Sequence, residues 1–234
     1  MSRGLSSLRE RLRSGRVVGT FVKLPALESI DLCAAALDFC VVDLEHSQLA
    51  ETDVLRLVRH ASALGFPAVV RIPEVDRGLV NRLLEAGAAG LQLSSVRRAA
   101  EVRALRESAL YAPGGRRSIS LAHPGAGYGA KPLRDYVRDT AAPLLVAQLE
   151  TRETDDGLDE ICGAGADVVF LGLTDLLVDC AFDEDAARGR ADEIAAAADR
   201  AGLVLGGFGA DERFRYSVVS SDVALLREAV AGVR

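Results

Sequence analysis

The sequence predicts a single (β/α)8 TIM barrel, and three observations carry that reading. Short apolar, β-branched runs alternate with longer Ala/Leu/Arg segments of helical period along the whole chain, the pattern of a parallel sheet covered by helices. Eight such runs can be counted, which is the strand number of a closed barrel. No glycine-rich phosphate loop of the GxGxxG or GxxxxGK kind follows the first run, where KLPALES stands instead; an open doubly wound sheet would call for one.

Taken in order, the chain begins MSRGLSSLRERLRSGR, in which Leu5, Leu8 and Leu12 recur at helical intervals, so an amphipathic first helix is expected. The stretch is basic but lacks the apolar region of a secretory signal. Strands are expected at 17–22, 39–44, 68–72, 90–94, 144–149, 168–173, 203–208 and 216–221. Helices are clearest at 51–64, where Val54, Leu55, Leu57, Val58 and Ala61 share a face, at 76–86, at 97–109 and in the alanine-rich 184–201. In ALGFPAVV, EAGAAGLQL, GAGADVVF and RAGLVLGG a glycine precedes the strand, where a helix C-cap needs a left-handed φ. No Pro/Ser-rich linker divides the chain, so residues 1–234 read as one domain. Residues 107–142, rich in Gly, Pro, Arg and Tyr, break the rule of short connections. A connection that long inside a compact domain is usually functional, and it is expected to cover the active site.

Composition narrows the function. With 234 residues, 49% hydrophobic and 26% charged, the chain can bury a large core. Its apolar runs are too short to span a bilayer, and a cytoplasmic protein is expected. A net charge of −6 with scattered Lys and Arg lacks the concentrated positive field that nucleic acid requires. Cys33, Cys40, Cys162 and Cys180 form no CxxC pair and read as free thiols, not as a zinc site or disulfide framework.

In such a barrel the reactive groups lie at the C-terminal ends of the strands. The polar residues closing the apolar runs are Asp43, Glu45 and His46, then Arg71, Gln148 and Glu150, Asp175, and Ser221 with Asp222. Glu150 and Asp175 end adjacent strands and have no cation at helical or strand spacing. Hard oxygen ligands with open positions suit Mg²⁺, Mn²⁺ or a similar ion; the alternative is that they cap the helices that follow, which is plausible for Asp175. Arg71 closes the apolar VVRIP and would present two donors to a carboxylate or enolate, or it is a buried partner of Asp43 or Glu45. His46, alone among the histidines in standing at a strand end, is the natural proton carrier.

The run DFCVVDLEHS resembles the second-strand signature of the HpcH/HpaI aldolase family, metal-dependent pyruvate aldolases of class II. Further matches follow in order: VVRIP (69–73), NRLLEAGAAGLQL (81–93), YAPGGRRS (111–118), QLET (148–151), FLGLTDL (170–176) and SSD (220–222). The resemblance implies a barrel of the phosphoenolpyruvate/pyruvate-domain type and roles for particular residues. Glu150 and Asp175 match metal ligands, for Mg²⁺, Mn²⁺ or Co²⁺. Arg71 matches the arginine that steadies the enolate, His46 the acid–base histidine, and Gln148 a polar contact to substrate. Backbone amides from Gly172 through Thr174 to Asp175 match those receiving the pyruvate carboxylate. Family resemblance also implies a homo-oligomer, trimer or hexamer, although the chain ends soon after LLREAVAGVR and lacks a full C-terminal exchange helix on this reading.

Departures from the family pattern are Glu85 where an Asp partners the histidine, Leu173 and Thr174 in the strand 6 turn, Ser94 for a proline, and Ser118 for a glycine. The expected activity is a carbon–carbon lyase acting on a 2-oxo acid through a pyruvate-type enolate. Decarboxylation or another trapping of the enolate needs the same residues, and a catalytically silent barrel acting as a binding or assembly partner is the reading from another class.

Overall fold

The computed structural model describes residues 8–233. Eight parallel strands close a barrel in sequence order: β1 (Val17–Val22), β2 (Phe39–Asp43), β3 (Ala68–Ile72), β4 (Gly90–Leu93), β5 (Leu144–Leu149), β6 (Val168–Leu171), β7 (Val204–Phe208) and β8 (Tyr216–Ser221). Most strands are buried on both faces, against the barrel interior and against helices, which is why they read as unbroken apolar runs. The larger helices around them are α2 (Leu27–Ala36), α3 (Glu51–Ala63), α4 (Arg77–Ala86), α5 (Ala99–Ala109) and α9 (Glu184–Arg200). No helix among the described residues is long and apolar enough to cross a membrane.

The expected helix ends hold. Gly65, Gly87, Gly165 and Gly202 all have positive φ, between 68° and 109°, the conformation that lets the chain leave a helix and enter the next strand. The expected first helix is α1 (Leu8–Ser14); Leu5 lies outside the described residues. Leu8 and Leu12 pack with Val17, Val41, Val69, Val146 and Val168 in the cluster that fills the barrel, so α1 plugs its lower end.

Side-chain parity decides what stands at the upper end. Successive residues of a strand face opposite sides. Val41, Val69, Val146 and Val168 belong to the interior cluster, while Val42, Val70, Ala147 and Val169 belong to the cluster between barrel and helices. Two residues further on, Asp43, Arg71 and Gln148 therefore point inward at the top, and Glu150 continues the row just past β5. Polar atoms crown an apolar barrel core.

The connection at 107–142 differs from expectation. It follows α5 and leads into the start of β5, so it belongs to the face opposite the strands' C-terminal ends. Its short 3₁₀ turn (Pro124–Gly129) and α6 (Leu133–Asp139) accompany contacts along the outer helices: Arg59 donates to the Tyr128 hydroxyl at 2.8 Å and Asn81 to Ser118 Oγ at 2.7 Å. The segment packs beside α3 and α4 and does not roof the mouth of its own barrel. All four cysteines are free and buried.

Candidate active site and metal centre

At the β2–β3 side of the mouth, strand register sets Asp43 opposite Arg71. Arg71 Nε donates to Asp43 Oδ1 at 2.9 Å and Nη2 to Oδ2 at 2.6 Å. The buried ion pair left open by the sequence is thus formed, and one edge of the guanidinium is committed to it. Nη1 remains on the other edge, 3.3 Å from Glu45 Oε2. Lys23, the first residue past β1, donates to the same Asp43 Oδ2 at 2.6 Å, and the amides of Glu45 and His46 donate to Oδ1 at 3.0 and 3.2 Å. Asp43 is fully buried, which alone would raise its pKa. The Arg71 hydrogen bond and charge, with the Lys23 and His46 donors, outweigh burial and hold it well below the usual carboxylate range.

His46 is fixed in backbone and largely exposed in side chain. Its carbonyl accepts from Lys23 Nζ at 2.9 Å, while its ring is 59% exposed with Nε2 at 3.7 Å from Glu45 Oε2. Glu85, expected as the histidine's partner, stands in the last turn of α4 and lines a cleft of about 240 Å³ with Ser62, Gly87, His123 and Thr140. A helix that starts at a strand's upper end finishes at the lower, so within this chain Glu85 is not brought to His46. Glu45 holds that place. Ser94, the residue departing from proline, donates to Glu45 Oε1 at 2.6 Å.

At the β5–β6 side, Glu150 is 5% exposed and is held by neutral donors alone. Ser95 donates its amide at 2.8 Å and its hydroxyl at 2.7 Å to Oε1. Gln148 Nε2 donates to Oε2, and Gln92 Nε2 donates to Gln148 Oε1 at 2.6 Å. Ser95 has φ of +50°, a left-handed conformation uncommon for a side chain larger than glycine, in which amide and hydroxyl converge on one carboxylate oxygen. Burial, with the charge of Asp175 adding to it, raises the Glu150 pKa despite these donors. Asp175 lies in the first turn of α8 (Leu173–Asp179), exposed, with no capping hydrogen bond or ion pair among the described residues.

This donor set fits a hard divalent cation. Two carboxylates close enough to repel, one of them buried, have no basic side chain as partner among the described residues, and that positive charge is what an ion would supply. No group of three or more potential metal ligands occurs among the described residues, so Glu150 and Asp175 by themselves would supply two carboxylate ligands.

Gly172 plays a part other than the one expected. Its amide already donates to Leu149 O at 3.1 Å, so it is not free for a carboxylate. A Cβ there would meet Glu150 Oε2 at 2.3 Å and Glu150 Cβ at 2.5 Å; glycine is needed so that Glu150 can lie against the turn. The amides of Leu173 and Thr174 come next, at the opening of α8, with no acceptor among the described residues. Sequence reasoning passed over Ser95, Gln92 and the contacts of Lys23. Parity would have flagged Gln92 and Lys23 as inward-facing, whereas nothing in the sequence signals the φ of Ser95.

Known proteins carry the same architecture. A hydroxypyruvate/pyruvate aldolase of Paraburkholderia phytofirmans is 30% identical, with all of both chains covered. A 4-hydroxy-4-methyl-2-oxoglutarate aldolase of Hapsidospora irregularis is 30% identical over 74% of this chain and 67% of its own. The crystal structure of an HpcH/HpaI aldolase from Desulfitobacterium hafniense superposes with a TM-score of 0.87 at 29% identity, covering 97% of this chain and 94% of that one. The family model for HpcH/HpaI aldolase/citrate lyase matches residues 18–213. With the barrel, its crown of polar residues and these likenesses together, the chain belongs to the HpcH/HpaI aldolase/citrate lyase family.

Proposed function

We propose that this carbon–carbon lyase is a divalent-metal-dependent aldolase that makes or breaks a bond next to a 2-oxo acid through a pyruvate-type enolate. The observation that carries the reading is the presence, at one barrel mouth, of two carboxylates without a cation among the described residues and an arginine whose second edge is met by Glu45 alone, at 3.3 Å. Glu150 and Asp175 would hold Mg²⁺, Mn²⁺ or Co²⁺, which when bound supplies Lewis-acid stabilisation of negative charge on the substrate's oxygens.

The remaining work falls to the chain's own groups. Arg71 offers Nη1 to the oxygen that becomes the enolate, and because Asp43 already fixes the guanidinium, little reorganisation is needed as charge develops. The Leu173 and Thr174 amides receive the substrate carboxylate. His46 moves the proton at the hydroxyl of the aldehyde-side fragment, its exposed ring turning on a fixed backbone, with Glu45 steadying the imidazole. Pyruvate or hydroxypyruvate, the compounds in the name of the Paraburkholderia phytofirmans relative, would serve as the enolate donor in such a pocket.

The test is a screen of oxaloacetate and 4-hydroxy-2-oxo acids with each of the three metals. Arg71→Lys is expected to lower both decarboxylation and aldol cleavage by roughly two to three orders of magnitude, the scale of one preorganised donor. His46→Ala is expected to lower aldol cleavage by about a hundred- to ten-thousand-fold while leaving decarboxylation far less changed. Equal losses in both reactions for both variants refute this division of labour, and full activity in excess chelator removes the metal.

A further inference from the structure

Lys23 has no part in the chemistry above, yet its surroundings are as fully specified as those of Arg71. Its amide and that of Leu24 donate to Asp222 Oδ1 and Oδ2 at 3.0 and 3.1 Å, so the end of β8 fixes the backbone just beyond β1. Its ammonium reaches inward to Asp43 Oδ2 at 2.6 Å, the oxygen that Arg71 Nη2 also contacts at 2.6 Å. The Phe21 ring, two residues earlier on the same inward face, lies under both cations, 5.5 Å from Lys23 Nζ and 4.5 Å from Arg71 Cζ.

One carboxylate is therefore shared by two cations. Were Arg71 its sole partner, Asp43 would cancel the arginine's charge outright, since the pair is buried and bidentate. On this side of the mouth Lys23 and Arg71 balance Asp43 and Glu45, so losing Lys23 leaves a net negative charge where an anionic substrate must enter. We propose that Lys23 is a positioning residue for the aldolase reaction: by sharing Asp43 it leaves Arg71 with positive charge to offer a 2-oxo acid. This rests on the enolate reading above.

The experiment compares wild type, Lys23→Met and Lys23→Arg in Mg²⁺, with oxaloacetate decarboxylation for KM and kcat and with calorimetric binding of oxalate, a dianion shaped like the enolate of pyruvate. Lys23→Met is expected to raise KM and the oxalate dissociation constant on the order of ten- to thirtyfold, the reach of one charge in a partly solvated site, with kcat within about threefold. Lys23→Arg is expected to recover most of the loss. If Lys23→Met lowers the melting temperature but leaves KM and oxalate binding unchanged, or if arginine fails to rescue, Lys23 is only a tether between strands and the proposal falls. Wild-type protein that neither binds oxalate nor decarboxylates oxaloacetate overturns the enolate reading itself, and the Lys23 inference with it.

Discussion

Asp43 and Glu150 are both buried carboxylates at the barrel mouth, and they differ in company. Asp43 is met by two cations and two backbone amides; Glu150 is met by an amide, a hydroxyl and a carboxamide, with a second carboxylate nearby. One side of the mouth is electrostatically complete and the other is short of positive charge. Opposite pKa directions follow from that single difference: both groups suffer burial, and only Asp43 has cations to overcome it. Under the proposed function the complete side would orient a substrate without further charge, while the deficient side would take its charge from a bound ion.

The sharpest way to break this comparison is at Glu150. Glu150→Ala is expected to lower metal-supported turnover by about a thousandfold or more, the several kcal/mol that a Lewis acid contributes, and to remove the rise in melting temperature that Mg²⁺ or Mn²⁺ is expected to give the wild type. A variant that kept the metal-dependent rise in full would move the ion elsewhere.

Asp43→Asn tests the complete side. Leaving Arg71 and Lys23 against a neutral amide is expected to cost about 3–5 kcal/mol of stability, the usual penalty for removing one partner of a buried pair, read from urea denaturation at neutral pH. The folded-state pKa of Asp43 is depressed, so its stabilisation is complete above the unfolded value of about 4 and is lost as pH falls through the folded one. The gap between wild type and variant should thus be constant from pH 7 to about 5 and shrink at pH 3. A gap that widened in acid would contradict the assigned pairing.

The smallest expected effect sharpens the comparison. Ser95→Ala keeps the amide donor to Glu150 and removes the hydroxyl, and should weaken metal affinity by about tenfold, at the lower end of losses for groups that orient a metal ligand. Stability should hardly change. Equal metal affinity in the two proteins would mean that the Ser95 amide and Gln148 suffice to hold Glu150.

Much of the barrel was legible because its buried strands are apolar on both faces, and the expected bounds fall within about two residues of those seen, as at 39–44 against Phe39–Asp43. The strand-end site residues were legible for the same reason, as polar interruptions of apolar runs. Arg71 is instructive about what was not. The sequence offered Asp43 and Glu45 as partners without deciding between them, because the answer depends on the register that sets Arg71 beside Asp43. Glu85 illustrates a second limit: it closes the expected 76–86 helix, which sets it toward the lower face, and the motif match says nothing of that. For residues 107–142 the length was informative but the location was misjudged, although a segment leading from a helix into a strand must start toward the lower face.

Gly172 bears on redesign of the pocket. Since a methyl group there would overlap Glu150, a saturation library at this codon should return glycine alone under selection for turnover. The neighbouring Leu173 and Thr174 are exposed side chains on the amides proposed to receive the substrate carboxylate, so substitutions there can vary the pocket wall without removing a donor. Directed evolution toward a new aldehyde would accordingly randomise 173 and 174 and hold 172 constant.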